Sequence, residues 1–217
     1  MCSRIVAFAV LVLASFASSC ANKSRVPTAG FWFDHVGFDL DARDAERIGG
    51  PLNEGETAAI RSTALAELRT AYTGIDLAFV ETPEGAYRVV VLQNLSGQMI
   101  HGAISAHAGE SRTLGPFGGR GMVSFSVLAA NAIHYATPGT TRQEIVSAIG
   151  RGVGRAAAHE FAHQILPDVD LHQIKDEESY EYGTADRAAQ YYGTLHWATA
   201  RPLMARKLGG RWWQPPL

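Results

Sequence analysis

Two periods of hydrophobic and polar residues organise the chain. Across residues 31–40 the bulky apolar residues Phe31, Phe33, Val36, Phe38 and Leu40 alternate with polar ones, with one irregularity, and this predicts a first strand. The period then lengthens: Ile60, Ala64, Leu68 and Tyr72 recur every fourth residue and form the apolar stripe of a helix. Asn53, with Glu56 three residues on, predicts a capping box at its start, and Gly74 ends it. Residues 75–80 and 87–92 are β-branched and aromatic runs separated by the turn Thr82-Pro83-Glu84-Gly85, so they predict two strands; residues 99–106 predict another. The Gly-rich residues 115–121 read as an exposed loop, 122–128 as a buried strand, and a long loop with Pro138 follows. Thr141 and Glu144 predict a second capping box, opening a helix whose Ile145, Ile149, Val153, Ala156 and Ala157 line one side until Pro167 forbids continuation. Strands mixed with two long helices make an α+β fold.

Composition narrows the choice. With 217 residues, 47% hydrophobic and 18% charged, the chain suits one domain with a full core. Nineteen Lys+Arg against twenty-one Asp+Glu, with no block of like charges, leave no electrostatic footprint for nucleic acid, which is excluded as a partner. The 22 Gly and 9 Pro are scattered without an internal period, which excludes repeat architectures.

The first residues read as an address. A short positive start ending at Arg4, an apolar run over residues 5–16, and the small residues Ala17, Ser18 and Ser19 make an export signal. As a helix the apolar run would reach only about 18 Å, short of the roughly 30 Å hydrocarbon core, so it does not read as a permanent transmembrane span. Both cysteines, Cys2 and Cys20, fall in this segment, so the exported body carries no intramolecular disulfide. Small residues ending at a single Cys resemble the lipobox of bacterial lipoproteins, which implies cleavage before Cys20 and its acylation. Ala17 stands where that box usually has Leu, so ordinary cleavage to a soluble periplasmic form stays open. The expected organisation is a signal over residues 1–19, a lipidated Cys20 and tether over 20–30, and a single domain over 31–217. Ala21 after the cysteine points to the outer membrane, with the domain facing the periplasm or the cell surface.

The chemistry stands near the end of the second helix, in His159-Glu160-Phe161-Ala162-His163. Residues four apart lie on one helix face, so both imidazoles can bind one Zn²⁺. Glu160 is rotated about 100° from His159, beside the open position of such a metal, where it can take a proton from water and pass it to a leaving amine. A catalytic zinc needs a third protein ligand. The downstream candidates are Asp168, Asp170, His172, Asp176, Glu177, Glu178 and Glu181. His172 is preferred, because zinc favours imidazole and a turn after Pro167 can bring it back under the metal. A gluzincin-like alternative takes Glu181 as third ligand, and another reading keeps the fold and the zinc in a non-catalytic binding module.

The order of elements resembles the metzincin clan of zinc peptidases, most of all its matrixin-type members, over about residues 31–193. That resemblance implies a metzincin-like zincin domain: a twisted mixed sheet, a long N-terminal helix and the HExxH helix. It implies a zinc endopeptidase with His159, His163 and His172 as ligands and Glu160 as general base, acting on a peptide or protein substrate in the bacterial cell envelope. It places Gly102, Ala103, Ile104, Ser105 and Ala106 on the antiparallel edge strand that pairs with substrate by β-augmentation. Residues 186–193 fall where the family has its C-terminal helix, which ends in a Tyr-Gly pair, and Ser179-Tyr180-Glu181-Tyr182-Gly183 where it has the Met-turn beneath the metal. Tyr180 or Tyr182 would then replace the Met or lend a hydroxyl to the oxyanion. Three departures stand out: the family's HExxHxxGxxH spacing would put Gly and His where Leu166 and Val169 stand, the Met-turn methionine is missing, and the body lacks a cysteine-switch prodomain.

Elsewhere, His35, His101, His107, His134 and His196 are scattered and read as surface or satisfied histidines. Trp197, Trp212 and Trp213, with Tyr191 and Tyr192, read as packing of the last helix on the sheet. Arg151 and Arg155, four apart on the active-site helix, read as a solvated face.

Overall fold

The computed structural model describes residues 26–95, 99–100, 103–104, 111–113 and 120–210. The expected export signal, Cys20, most of the tether, and Gly102, Ser105 and Ala106 lie outside them. In chain order the elements are β1 (Thr28–Phe33), α1 (Ala42–Arg47), α2 (Glu54–Ala71), β2 (Ala78–Val80), β3 (Tyr87–Leu92), β4 (Met99–Ile100), β5 (Ala103–Ile104), β6 (Ser111–Thr113), β7 (Gly121–Ser124), α3 (Phe125–His134), α4 (Arg142–Ile165), a 3₁₀ turn (Leu171–Gln173), α5 (Ala189–Tyr192) and α6 (Ala200–Leu208). Five strands form one sheet in the order β2-β1-β3-β7-β6. The first four run parallel and β6 is antiparallel at the edge, a mixed α/β arrangement compatible with the expected α+β class. Among the described residues no helix is long and apolar enough to cross a membrane.

Both capping boxes form as their sequences dictate. Asn53 accepts from the Glu56 amide while Glu56 accepts from the Asn53 amide, and Thr141 and Glu144 do the same at the start of α4. The apolar stripe Ile60, Ala64 and Leu68 of α2 is fully buried against α4 and the sheet, with Val89, Val91, Val123 and Phe161 in the same core. Close approach of α2 and α4 depends on glycine: a Cβ at Gly154 would lie 2.4 Å from the Ala64 carbonyl oxygen and 2.8 Å from Glu67 Cβ. Alanine there would gain about 1 kcal/mol of helix propensity, yet it must push α2 outward. Gly154→Ala is therefore expected to cost about 1–3 kcal/mol net, read as a lower urea midpoint; a midpoint at or above wild type would contradict the packing argument.

Several expectations are corrected. β1 starts at Thr28, inside the expected tether, and ends at Phe33, because the chain turns through positive φ at His35 (49°) and Phe38 (58°). The alternation to residue 40 nevertheless had a cause: Val36 and Phe38 still reach the core, where Phe38 packs on Phe33 and Phe125. Within the expected strand over 99–106, Met99–Ile100 and Ala103–Ile104 are two strands that pair antiparallel with each other, in a sheet separate from the main one. The antiparallel edge of the main sheet is Ser111–Thr113 instead.

The expected buried strand over 122–128 stops at Ser124, and α3 begins at Phe125. Phe125, Leu128, Ala129, Ala132 and Ile133 are its buried residues, a helical spacing hidden inside an apolar run. Arg151 and Arg155 are not a solvated face. Arg155 is buried, paired with Glu67 at 3.1 Å, and donates to the Ala189 and Gln190 carbonyls; Arg151 donates to that of Tyr191. The two arginines thus bind the last carbonyls of α5 to α4. Trp197 packs not on the sheet but at the end of α2, its indole donating to the Ala71 carbonyl and its ring resting on Tyr72 and Tyr180, while Trp212 and Trp213 lie outside the described residues.

Candidate metal centre

Helix α4 puts His159 and His163 one turn apart near its C-terminal end. Two contacts fix that end in place. The Gln164 side-chain amide accepts from the Arg88 amide and donates to the Arg88 carbonyl, joining α4 to β3 at 2.9 and 3.0 Å. Tyr72 on α2 donates its hydroxyl to the Ala158 carbonyl at 2.9 Å. At Leu166 the backbone leaves the helix, ahead of Pro167. Asp170 then caps the 3₁₀ turn, its carboxylate accepting from the His172 amide at 3.1 Å and from Gln173 Nε2 at 3.2 Å. This turn returns His172 to the helix.

The three Nε2 atoms converge. They stand 2.9 Å apart for His159 and His163, 3.0 Å for His159 and His172, and 3.0 Å for His163 and His172. Among the described residues this is the only group of three or more His, Cys, Asp or Glu side chains close enough to hold a metal ion. His159 is buried, His163 half-buried and His172 exposed, so the cluster opens toward solvent on one side.

The donor set fits a metal ion. His159 Nδ1 lies 2.8 Å from the Tyr180 carbonyl oxygen, which can only accept, so Nδ1 carries the hydrogen and a neutral ring leaves Nε2 as a bare lone pair. This bare nitrogen faces the Nε2 atoms of His163 and His172 at 2.9 and 3.0 Å, the convergence that a shared cation would complete. His159, His163 and His172 would hold such an ion between them, where it would supply Lewis-acid chemistry. Three imidazoles are also the nitrogen-rich set that zinc prefers.

Burial keeps His159 and His163 unprotonated. Removal from water lowers His159 from 6.5 to about 4, opposed by its hydrogen bond to Tyr180, and lowers His163 from 6.5 to about 4, reinforced by neighbouring His159. The sign of the pH effect follows. Above pH 6.5 neither the folded nor the unfolded metal-free chain protonates these rings. As pH falls from 6.5 towards about 4, the unfolded chain takes up protons that the folded one refuses, so stability is lost over that window. Denaturant midpoints of the metal-free protein should decline from pH 7.5 through 6 to 5; a flat profile would contradict the burial argument.

Glu160 is buried beside His159, and its charge favours protonation of His163. Room for it comes from Gly121 at the start of β7, where a Cβ would lie 2.7 Å from Glu160 Cβ. Against the histidines lies a turn over residues 179–183. Tyr182 N–H donates to the Ser179 carbonyl, Arg187 donates to the Ser179 and Glu177 carbonyls, and a Cβ at Gly183 would rest 3.4 Å from His172 Cγ. Tyr180 serves this turn through its carbonyl. Its ring packs on Trp197 in the core, and burial, with nearby Glu67, pushes its phenol up to about 12. Tyr182 instead lies under the Arg187 guanidinium, 4.7 Å from ring centre to Cζ.

Glu181 is not a third ligand. Its fully buried carboxylate is taken up by the amides of Ala198, Thr199 and Ala200 and by the Thr199 hydroxyl. The remaining acidic candidates, Asp168, Asp170, Asp176, Glu177 and Glu178, are exposed and outside the trio. Of the other histidines, His35 and His196 pair with Asp34 and Asp176, His134 packs on Tyr135, and His101 and His107 lie outside the described residues. Sequence reasoning missed Gln164, Gly121 and the Tyr180 carbonyl. Only Gly121, at the end of a glycine-rich stretch, carried a signal in the sequence. No known family model, curated protein or solved structure matches the chain.

Proposed function

We propose that this chain is a zinc-dependent endopeptidase of metzincin type, exported to the bacterial cell envelope and held at a membrane by a lipid on Cys20. The observation that carries the reading is the convergence of three imidazole Nε2 atoms at 2.9–3.0 Å, with Glu160 next to one of them on the same helix. The topology supports the family: four parallel strands, an antiparallel edge strand, and an HExxH helix followed by a ligand-bearing turn and a second turn against the histidines. The envelope address rests on the signal-like residues 1–19 and the lipobox-like cysteine.

Zinc bound by His159, His163 and His172 supplies a Lewis acid that polarises a carbonyl and acidifies water. The chain's own residues do the rest. The Tyr180 carbonyl holds the His159 ring in the form that presents a bare Nε2. The Glu160 carboxylate takes a proton from the water whose oxygen attacks the scissile carbonyl carbon, then returns it to the amine nitrogen as the C–N bond breaks. A substrate peptide pairs as an added strand with the antiparallel edge, the role that Ser111–Thr113 supports.

The experiment is metal analysis of the purified protein together with cleavage of a diverse peptide library. One zinc per chain and cleavage that stops on chelation are the expected result. Zinc without cleavage of any peptide would turn the reading to a binding module, and a protein that holds no zinc would end it.

A further inference from the structure

We infer that Glu181 is a positioning residue for the metal centre: its buried carboxylate locks the turn whose Tyr180 carbonyl orients the His159 ring. This rests on the proposed reading of the histidine trio as a metal site and adds a part of the chain that supplies no ligand to it, the start of α6.

The first amides of a helix have no partner within it. In α6 the residue at the cap position, Thr199, makes no capping bond to its own helix. The capping group comes from the Ser179–Tyr182 turn instead. Glu181 Oε1 accepts from Ala200 N at 2.7 Å, Thr199 N at 3.0 Å and Thr199 Oγ1 at 2.6 Å; Oε2 accepts from Ala198 N, from Thr199 N at 3.0 Å and from Ser179 Oγ at 3.1 Å. A carboxylate removed from water is stable only with such saturation, so its position is set by the helix end.

Tyr180 sits between Ser179 and Glu181, and its own amide donates to the His196 carbonyl at 2.9 Å. The peptide carrying its carbonyl is therefore held on both sides, by residue 196 before it and by Glu181 after it. That carbonyl faces His159 Nδ1 at 2.8 Å, and Gly183, two residues past Glu181, lies near the His172 ring, which a Cβ there would meet at 3.4 Å. One turn thus bonds one imidazole and runs beside a second, and Glu181 is its anchor. Groups that hold a ligand's second nitrogen set ring orientation and basicity, and their loss typically weakens metal binding by about 10–100-fold.

The test uses the full chain with Glu181→Ala and Glu181→Gln, and reads zinc affinity by chelator competition. A second readout on the metal-free protein is the ¹⁵N spectrum of His159, which reports the nitrogen bearing the hydrogen. Glu181→Ala should weaken zinc binding about tenfold or more and turn His159 from a single Nδ1–H form into a mixture. Glu181→Gln should fall between, since one carbonyl oxygen still accepts while its NH₂ confronts amide donors. Thr199→Val deletes one donor and leaves the carboxylate in place; it should shift both readouts the same way by less, and it decides the matter if neither Glu181 variant folds. A folded variant set that melts earlier yet binds zinc within about twofold of wild type, with His159 still wholly Nδ1–H, would overturn the inference and leave Glu181 as a helix cap alone. Wild type that binds no zinc would instead sink the metal reading, a separate result.

Discussion

Glu160→Gln is expected to lower kcat/KM for peptide cleavage by about 10²–10⁴-fold, the range that a positioned proton carrier contributes, while one zinc per chain is retained. The substitution is chosen for its shape. Glu160 is buried, and the gap that receives it is closed by Gly121 on β7 and bordered by Gln164, so a glutamine of equal size preserves the packing. It removes the proton acceptor and the negative charge beside His163, with no change of size. None of the three converging nitrogens belongs to Glu160, so metal content should not move. That separation gives the experiment its force. A variant that keeps its zinc and cleaves within about tenfold of wild type would mean that another group carries the proton, and a variant that loses zinc would make Glu160 a structural support of the trio.

The parts of this arrangement legible in the sequence are those whose causes are local. Capping boxes join residues three apart, and both form. His159 and His163 are one turn apart, and His172 follows within nine residues as the only imidazole among the described residues near enough to close the set. Where the cause is distant, the sequence is silent or misleading. Arg155 and Glu67 are 88 positions apart, so an arginine on a helix reads as solvent-facing when it is buried. Glu181 meets the α6 amides 17 to 19 positions away, and from the sequence alone such an acid resembles a third ligand as much as a cap. The Tyr180 carbonyl has no signature, because every residue carries one. Helix α3 fails for another reason: residues 121–133 are largely apolar, broken only by Gly121, Ser124, Ser126 and Asn131, so the sequence alone does not separate the two-residue from the 3.6-residue period.

His172→Ala separates the histidine trio from every reading that places the third ligand elsewhere. His172 is exposed and belongs to a three-residue turn capped by Asp170 through the backbone, so its imidazole contributes little to the core. The variant should fold with nearly the wild-type denaturant midpoint in the metal-free state. Its zinc affinity should drop by more than the roughly 10–100-fold typical of groups that merely orient a ligand, because a donor atom itself is lost and two histidines remain where a catalytic zinc needs three protein ligands. Stability supports the same conclusion from another side. Zinc that binds only the folded chain stabilises it in proportion to the logarithm of its affinity, so added zinc should raise the melting temperature of wild type strongly and of His172→Ala weakly. The order of effects is the decisive quantity. His172→Ala must weaken binding more than Glu181→Ala, since the first removes a ligand and the second only the anchor of a ligand's partner. The reverse order would assign the third position to Glu181 and dissolve the trio, and equal zinc content and affinity in wild type and His172→Ala would show that the convergence of the three rings holds no metal.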